Sequence, residues 1–94
     1  MIKPFDESKV NSNELVRHFD ANVDESELKW HWDEEDRDVE PLNENDWFFQ
    51  FDNELPIPIN KKIHIPAGII HRVIKGSTDL KVKIKKYYGV RSNF

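Results

Sequence analysis

The sequence contains no cysteine and no long run of apolar residues. Without cysteine it can form neither a disulfide framework nor a thiolate metal site, so its stability must come from an apolar core or a subunit interface. No run approaches the ~18 apolar residues of a membrane span, and the first residues lack the apolar segment of a secretory signal. We therefore expect a cytoplasmic protein with no membrane contact, and the length of 94 residues predicts one domain over residues 1–94.

Charge is distributed very unevenly along the chain. Residues 1–54 contain 5 basic and 17 acidic side chains, whereas residues 55–94 contain 9 basic and 1 acidic. Such a split is compatible with a surface for nucleic acid or an acidic partner, or with two halves of a small sheet that lie side by side. We favour the second interpretation and do not expect nucleic-acid binding, because no glycine-rich loop or other recognition motif accompanies the lysines of residues 81–86.

Short β-prone segments separated by turns dominate the chain. In residues 79–86, Leu80, Val82 and Ile84 alternate with lysines, which predicts one buried and one solvated face. Residues 47–51 form an aromatic strand that must be central or lie at an interface. The pattern predicts an all-β sandwich or barrel of six or seven strands over residues 27–86, with a tail over residues 87–94.

The N-terminal part is expected to differ from the rest. Residues 1–10 show no periodicity and predict an arm. Asn11 followed by Glu14 has the spacing of a capping box, and Leu15, Val16 and Phe19 would share one side of a helix. We therefore predict a short helix over residues 11–22 that covers an open end of the sheet or barrel.

Residues 27–33 alternate with period two, and this alternation leaves two interpretations open. Leu28, Trp30 and Trp32 would share one face, and Lys29, His31 and Asp33 the other. If the tryptophans face inward, the polar side chains are solvated and form no site. If His31 and Asp33 face inward, two ligand-type side chains stand together in a cavity, and the tryptophans cover the outside against the helix or a second subunit.

Residues 60–76 contain a turn followed by a histidine. Pro66 fixes its own φ and Gly68 can adopt φ > 0, so Pro66-Ala67-Gly68 can reverse the chain and direct His71 over the sheet. The spacing Pro66-x-Gly68-x-x-His71 resembles the second motif of the cupin family, and the resemblance extends over residues 27–84. It implies a small antiparallel cupin-like β-barrel or jelly roll.

The same resemblance implies one divalent metal, such as iron, manganese, zinc or nickel. The first cupin motif supplies His-x-His and, shortly after, a glutamate. Here His31 stands at the first histidine and Asp33 at the second, while Arg37 or Asp38 stands at the glutamate. The ligand set implied by the resemblance is thus His31, Asp33 and His71.

Two interpretations of this cluster remain. In one, the three residues bind a metal with open coordination positions, and Gln50, Arg37 and Arg72 are available for a small acidic ligand. In the other, Asp33, Asp36 and Arg37 form a charge cluster in a metal-free barrel. The absence of the cupin glutamate favours this second interpretation as regards whether a metal is bound. The first set is nevertheless the nominated site.

The functional prediction is a module that binds a small polar or acidic molecule in its barrel, with or without a divalent metal. The alternatives are a metal-dependent enzyme of dioxygenase or isomerase type, implied by the resemblance, and a metal-free scaffold or interaction protein. A homodimer is also expected, because aromatic strands with two apolar faces need more cover than one short helix can give.

Overall fold

The computed structural model describes residues 3–88, which form two antiparallel sheets. The elements in chain order are β1 (Asp6–Lys9), β2 (Glu14–Phe19), a 3₁₀ turn (Glu25–Glu27), β3 (Asp36–Pro41), β4 (Phe48–Phe51), β5 (Ile57–Pro58), β6 (Ile63–Ile65), β7 (His71–Ile74) and β8 (Leu80–Tyr87). The larger sheet has the order β1-β2-β8-β3-β6, and the smaller has the order β5-β4-β7. The all-β prediction is confirmed. The two sheets are not closed into one continuous barrel within residues 3–88, and their arrangement is that of a jelly roll.

The inner faces of both sheets meet in one core. In β8, Leu80, Val82 and Ile84 are buried, as the alternation predicts, because successive strand residues point to opposite faces. From the smaller sheet, Phe49 joins them, and Trp47, just before β4, is fully buried. The indole of Trp47 donates a hydrogen bond of 2.5 Å to the carbonyl of Thr78, so its single polar atom is satisfied inside the core.

The acidic and basic halves of the chain lie side by side, as expected. Strand β3 from the acidic half pairs along its length with β8 from the basic half. Glu40 lies 3.5 Å from Lys83, and Glu35 lies 3.9 Å from Lys86. The opposite charges therefore meet across neighbouring strands of one sheet.

The predicted helix over residues 11–22 is wrong, because Glu14–Phe19 forms strand β2. Only one of the two hydrogen bonds of a capping box forms, in which the Glu14 amide donates to Asn11 Oδ1. The Glu14 carboxylate accepts from Asn11 Nδ2, and the Asn11 amide donates to the Glu14 carbonyl instead. They stabilise the turn between β1 and β2 rather than the start of a helix. The β-branched and aromatic residues that follow then pair with β8 in register from Glu14↔Lys85 to Phe19↔Leu80.

The predicted arm over residues 1–10 is also wrong in its central part. Asp6–Lys9 forms the edge strand β1, which pairs with β2. Phe5 precedes this strand and packs edge-on against the ring of Phe19 at 5.3 Å. The predicted tail over residues 87–94 begins one residue too early, because Tyr87 is the last residue of β8. Residues 1–2 and 89–94 lie outside the described part of the chain.

Residues 27–33 do not form the predicted strand. The chain makes the 3₁₀ turn at Glu25–Glu27 and then runs irregularly, apart from an isolated antiparallel bridge between His31 and His71. Within residues 3–88, no helix has the length and apolar character needed to cross a membrane.

Candidate metal and ligand site

The turn at Pro66-Ala67-Gly68 positions His71 at the start of β7. Gly68 has φ of +78°, a conformation that favours glycine. Its amide donates to the carbonyl of Asp33 at 2.8 Å, and the Ala67 amide donates to Asp36 Oδ1 at 2.8 Å. The turn is thus bonded to the segment that carries Asp33.

His31 is held by two backbone hydrogen bonds to His71. The His31 amide donates to the His71 carbonyl at 3.0 Å, and the His71 amide donates to the His31 carbonyl at 2.9 Å. Such a pair fixes the facing residues of two chain segments even where no longer ladder forms. The two side chains therefore lie next to each other although forty residues separate them in the sequence.

His31, Asp33 and His71 converge, and their ligand-type atoms all lie within 4.8 Å of one another. The two imidazole rings meet edge to face with centroids 4.3 Å apart. His71 is only 4% exposed and stacks on Phe49, whereas His31 is exposed. The cluster consequently lies between the core and solvent.

Both imidazoles have their protonation pattern set by the backbone. Nδ1 of His31 lies 2.9 Å from the carbonyl of Lys29, and Nδ1 of His71 lies 2.8 Å from the carbonyl of Ile69. A carbonyl oxygen only accepts, so Nδ1 carries the proton in each ring. In the neutral ring, the lone pair is then on Nε2, the arrangement found in metal-ligating histidines whose other nitrogen donates to a carbonyl.

The two carboxylate oxygens of Asp33 have different surroundings. Oδ1 lies 3.3 Å from Arg37 Nη2. Oδ2 is buried, accepts no hydrogen bond, and lies 3.3 Å from His71 Nε2. Burial opposes ionisation of Asp33, but a hydrogen on His71 Nε2 directed at the carboxylate and the charge of Arg37 outweigh it and hold its pKa below the usual range. The part of this lowering that comes from His71 applies to the imidazolium form, because a neutral ring with its proton on Nδ1 offers Asp33 no hydrogen. Asp33 is therefore an anion, and its buried Oδ2 accepts no hydrogen bond when the His71 ring is neutral.

Arg37 is the charged side chain behind this cluster. Its Nη2 contacts Asp33 Oδ1 and Glu35 Oε1, both at 3.3 Å. Its Nε is buried and has no hydrogen-bond partner among the described residues. Glu35, which the sequence did not single out, also lies 3.9 Å from Lys86. An ion pair of Asp33 with Arg37 and a role of Asp33 as a metal ligand therefore use different atoms. Oδ1 faces Arg37, and Oδ2 faces the imidazole of His71.

A cavity of about 380 Å³ lies between the sheets and is bordered by the cluster. His31, Asp33, Arg37 and His71 line one part of it. Most of the remaining wall is apolar and includes Phe5, Phe49, Ile63, Val73 and Leu80. A mainly apolar enclosure with a few converging polar groups is typical of small-molecule sites.

Two of the three side chains expected to contact a ligand are placed elsewhere. Gln50 and Arg72 face each other across β4 and β7, one register step from the pair Phe51↔His71. Neighbouring pairs in a ladder point to opposite faces, so Gln50 and Arg72 lie on the outer face of the smaller sheet. There Arg72 Nε donates to Gln50 Oε1 at 3.0 Å, and its guanidinium covers the Trp30 ring at 4.4 Å. Only Arg37 of this set lines the cavity.

Sequence reasoning missed Arg17, which also lines the cavity. Interpreting residues 14–19 as a helix concealed the alternation that places Leu15, Arg17 and Phe19 on one face of β2. Arg17 Nη2 and Nε contact Glu7 Oε2 at 2.6 Å and 2.8 Å, and its guanidinium covers the Phe5 ring at 4.0 Å. A period-two interpretation of these residues would have found it.

Comparison with known proteins identifies the fold. No protein-family model matches the sequence, and no curated protein matches it. The structure is similar to a cupin domain from Bordetella pertussis, with a TM-score of 0.60, 18% identity, and coverage of 94% of this chain and 99% of the other. A conserved protein of unknown function from Streptococcus pyogenes gives a TM-score of 0.61 at 16% identity, covering 90% of this chain and 73% of the other.

A third similar structure is a protein from Neisseria meningitidis, with a TM-score of 0.59, 12% identity, and coverage of 89% of this chain and 83% of the other. At these identities the similarity concerns the fold. It agrees with the expectation raised by the turn at Pro66–Gly68 and by His71, and with the two antiparallel sheets around a cavity. The chain has a cupin-like fold.

Proposed function

We propose that this protein binds a small polar or acidic molecule in its cavity, beside a divalent metal held by His31, Asp33 and His71. The observation that carries the proposal is the contact between His71 Nε2 and Asp33 Oδ2 at 3.3 Å. With Nδ1 of His71 donating to a carbonyl, a neutral ring presents a lone pair toward a carboxylate oxygen that accepts no hydrogen bond. Two acceptors this close require a cation or a proton nearby.

The donor set suits a transition-metal ion. Two neutral imidazole nitrogens and one carboxylate oxygen are ligands for iron, manganese, zinc and nickel, and three protein ligands leave coordination positions open. The atoms lie within 4.8 Å of one another, so small side-chain rotations would bring them to the ~2.0–2.2 Å bonds that such ions form. The three side chains therefore fit the divalent metal ion that the cupin-like fold implies.

The neighbouring residues would support such a site in defined ways. Arg37 contacts Asp33 Oδ1 and leaves Oδ2 free to act as a ligand. The carbonyls of Lys29 and Ile69 fix the orientation of the two imidazoles, and Phe49 covers the ring of His71. A bound ion would supply Lewis acidity at the cavity wall.

Two other functions remain candidates. Open coordination positions beside a cavity favour a metal-dependent enzyme of dioxygenase or isomerase type as the second candidate. The third is a metal-free scaffold, in which His71 is protonated and donates to Asp33. The ion pair between Arg37 and Asp33 is the observation that favours it.

Metal content and thermal stability test the proposal. Protein purified without a metal-affinity step is analysed for bound ions and then melted with Mn(II), Fe(II), Zn(II), Ni(II) or a chelator. An ion present at a hundred times its Kd is expected to stabilise the fold by about 2.7 kcal/mol. His31→Gln should abolish this shift, because it removes a ligand at an exposed position.

The matched control is His64→Gln, since His64 is also exposed but pairs with Asp38 Oδ1 at 2.7 Å on the outer face of the larger sheet. This variant should retain the full metal-induced shift. If no ion changes the melting temperature of the wild-type protein and the purified chain contains no stoichiometric metal, the metal-binding proposal is wrong.

A further inference from the structure

Arg37 has a hydrogen-bond donor that no group within residues 3–88 accepts from. Its two carboxylate contacts, to Asp33 and Glu35, both involve Nη2 at a rather long 3.3 Å. Its Nε is buried and has no partner among residues 3–88. Arg37 lines the cavity, and a turn of its side chain that exposed Nε there would let an acceptor in the cavity recover a hydrogen bond that the empty protein lacks.

The second cavity arginine is different. Arg17 donates from both Nη2 and Nε to the same oxygen of Glu7, at 2.6 Å and 2.8 Å. Its charge is therefore matched at short range by a carboxylate from the adjacent strand β1. Arg37 has two carboxylates beside it, but its Nε has no partner among residues 3–88, so it is the cavity arginine with a hydrogen-bond donor left for an anion.

The charges around the cluster point to the same conclusion. The ion pairs of this region within residues 3–88 join four cations to three carboxylates, the cations being Lys3, Arg17, Arg37 and Lys86 and the carboxylates Glu7, Asp33 and Glu35. A divalent ion at the proposed metal site would leave this partly buried cluster with excess positive charge. An anionic ligand would neutralise the excess, and the attraction is larger in the cavity than in water because the local dielectric constant is lower.

The rest of the cavity determines what the anion must look like. Away from the cluster the wall is built mainly of apolar side chains, among them Phe49, Ile59, Ile63, Val73 and Leu80. The volume of about 380 Å³ is near the lower end of the range for small-molecule sites. A small hydrocarbon body fits this part of the cavity, whereas a sugar or a peptide would leave its polar groups without partners.

We propose that the ligand is a small carboxylic acid with a compact apolar body. Its carboxylate accepts a hydrogen bond from Arg37 Nε, and its hydrocarbon part contacts the apolar wall. This inference rests on the proposed function, because it specifies the ligand of the same cavity. Arg37 is thus assigned as the residue that distinguishes an acid from a neutral analogue.

The test compares hexanoate, hexanamide and acetate by titration calorimetry and thermal melts, with and without Mn(II). Hexanoate should bind at least about 10-fold more tightly than hexanamide, since a hydrogen bond to a charged group contributes about 1.5–3 kcal/mol. Acetate should bind more weakly than hexanoate because it lacks the apolar body. Mn(II) should strengthen hexanoate binding and leave hexanamide binding nearly unchanged.

Arg37→Gln should remove the preference for the acid, so that hexanoate and hexanamide bind similarly. The matched control is Lys83→Gln, which also removes one positive charge but acts on the outer face of the larger sheet, where Lys83 pairs with Glu40 at 3.5 Å. It should keep the wild-type preference. The comparison of ligands on the wild-type protein remains decisive even if Arg37→Gln does not fold.

The outcomes separate this inference from the proposed function. Equal binding of hexanoate and hexanamide to wild-type protein overturns the inference but supports a ligand-binding cavity. Binding of Mn(II) with no binding of any of the three compounds also overturns the inference, while the metal half of the proposed function stands. A preference for hexanoate that depends on Arg37 but not on Mn(II) supports the acid ligand and contradicts the role of the metal.

Discussion

At the scale of single residues, the imidazole of His71 has its Nδ1 hydrogen committed to the Ile69 carbonyl, and its ring lies between Phe49 and His31. Only Nε2 remains for chemistry, and it faces Asp33 Oδ2. Such commitment of one ring nitrogen to the backbone is the main way in which a protein selects the tautomer of a histidine. The reactive atom of this residue is therefore determined before any ligand arrives.

The sequence could predict which three residues meet but not the way in which they meet. The resemblance to the two cupin motifs implied His31, Asp33 and His71, whereas period two alone left open which face of residues 27–33 points inward. The structure brings them together through an isolated bridge rather than a strand, because the chain at residues 28–35 has no partner for a longer ladder within the described residues. Gln50 and Arg72 could not be placed, since their face depends on the register of β4 with β7.

Asp46 gives a prediction about pH. Its carboxylate accepts hydrogen bonds from the Ser77 hydroxyl at 2.6 Å and the Ser77 amide at 2.8 Å, and these bonds lower the pKa of Asp46 from its usual 3.8. A lowered pKa in the folded state stabilises the protein above the ordinary carboxyl range, and this stabilisation is lost as the pH falls through the folded-state pKa.

Asp46→Asn should therefore reduce the melting temperature at about pH 7 more than at about pH 3, where the wild-type carboxylate is itself becoming protonated. Melts of both proteins across this range measure the difference. Asp52→Asn, in the turn after β4, is the control and should leave the pH dependence unchanged. A gap between wild type and Asp46→Asn that stays constant from neutral to acidic pH would contradict the prediction.

At the scale of elements, strand β2 shows how a local motif can be correct in its contacts and still misleading about the fold. The Glu14 amide does donate to Asn11 Oδ1, as in a capping box, but this bond and the one between the two side chains lie in the turn that connects two strands. What decides between helix and strand is tertiary: β2 has β1 on one side and β8 on the other. The local pattern fits both elements, since Leu15, Arg17 and Phe19 alternate as in a strand while Leu15, Val16 and Phe19 also fit one side of a helix, so the pairing with β1 and β8 decides.

The turn before β7 gives a prediction about stability. Gly68 has φ of +78°, and a Cβ added there would have no heavy atom within 4 Å, so substitution costs only backbone strain. Gly68→Ala should lower the free energy of unfolding by about 1–2 kcal/mol. Denaturant unfolding measures this loss.

Gly68→Asn is the matched comparison, because asparagine tolerates positive φ better than alanine. The expected order of stability is wild type, then Gly68→Asn, then Gly68→Ala. Equal stability of the wild-type protein and Gly68→Ala would show that the turn does not require the left-handed conformation.

At the scale of the whole molecule, several large aromatic side chains on and near the outer face of the smaller sheet are exposed. Trp30 is 42% exposed, Trp32 57% and Phe48 39%. The sequence predicted that aromatic side chains would need cover, and the predicted helix does not exist to supply it. We therefore retain the homodimer as a proposal, with Trp32 in the interface.

This proposal predicts that the wild-type protein sediments as a dimer at micromolar concentration and that Trp32→Ala shifts it toward the monomer. The melting temperature extrapolated to low concentration should be similar for both, because Trp32 contributes little to the core. Val10→Ala is the control, since Val10 is 56% exposed at the turn between β1 and β2. The same sedimentation coefficient for wild type and Trp32→Ala would exclude Trp32 from an interface.

The bridge between His31 and His71 has a consequence for variation in this chain. The two mutual hydrogen bonds are the only ladder of residues 28–35 within the described structure, and one further backbone bond, from the Gly68 amide to the Asp33 carbonyl, supports the same register. A deletion of one residue between the 3₁₀ turn and His31 that broke these few bonds would bring Trp32 opposite His71 and carry His31 away from the cavity. Homologues that share every strand could thus differ in chemistry through a single-codon gap.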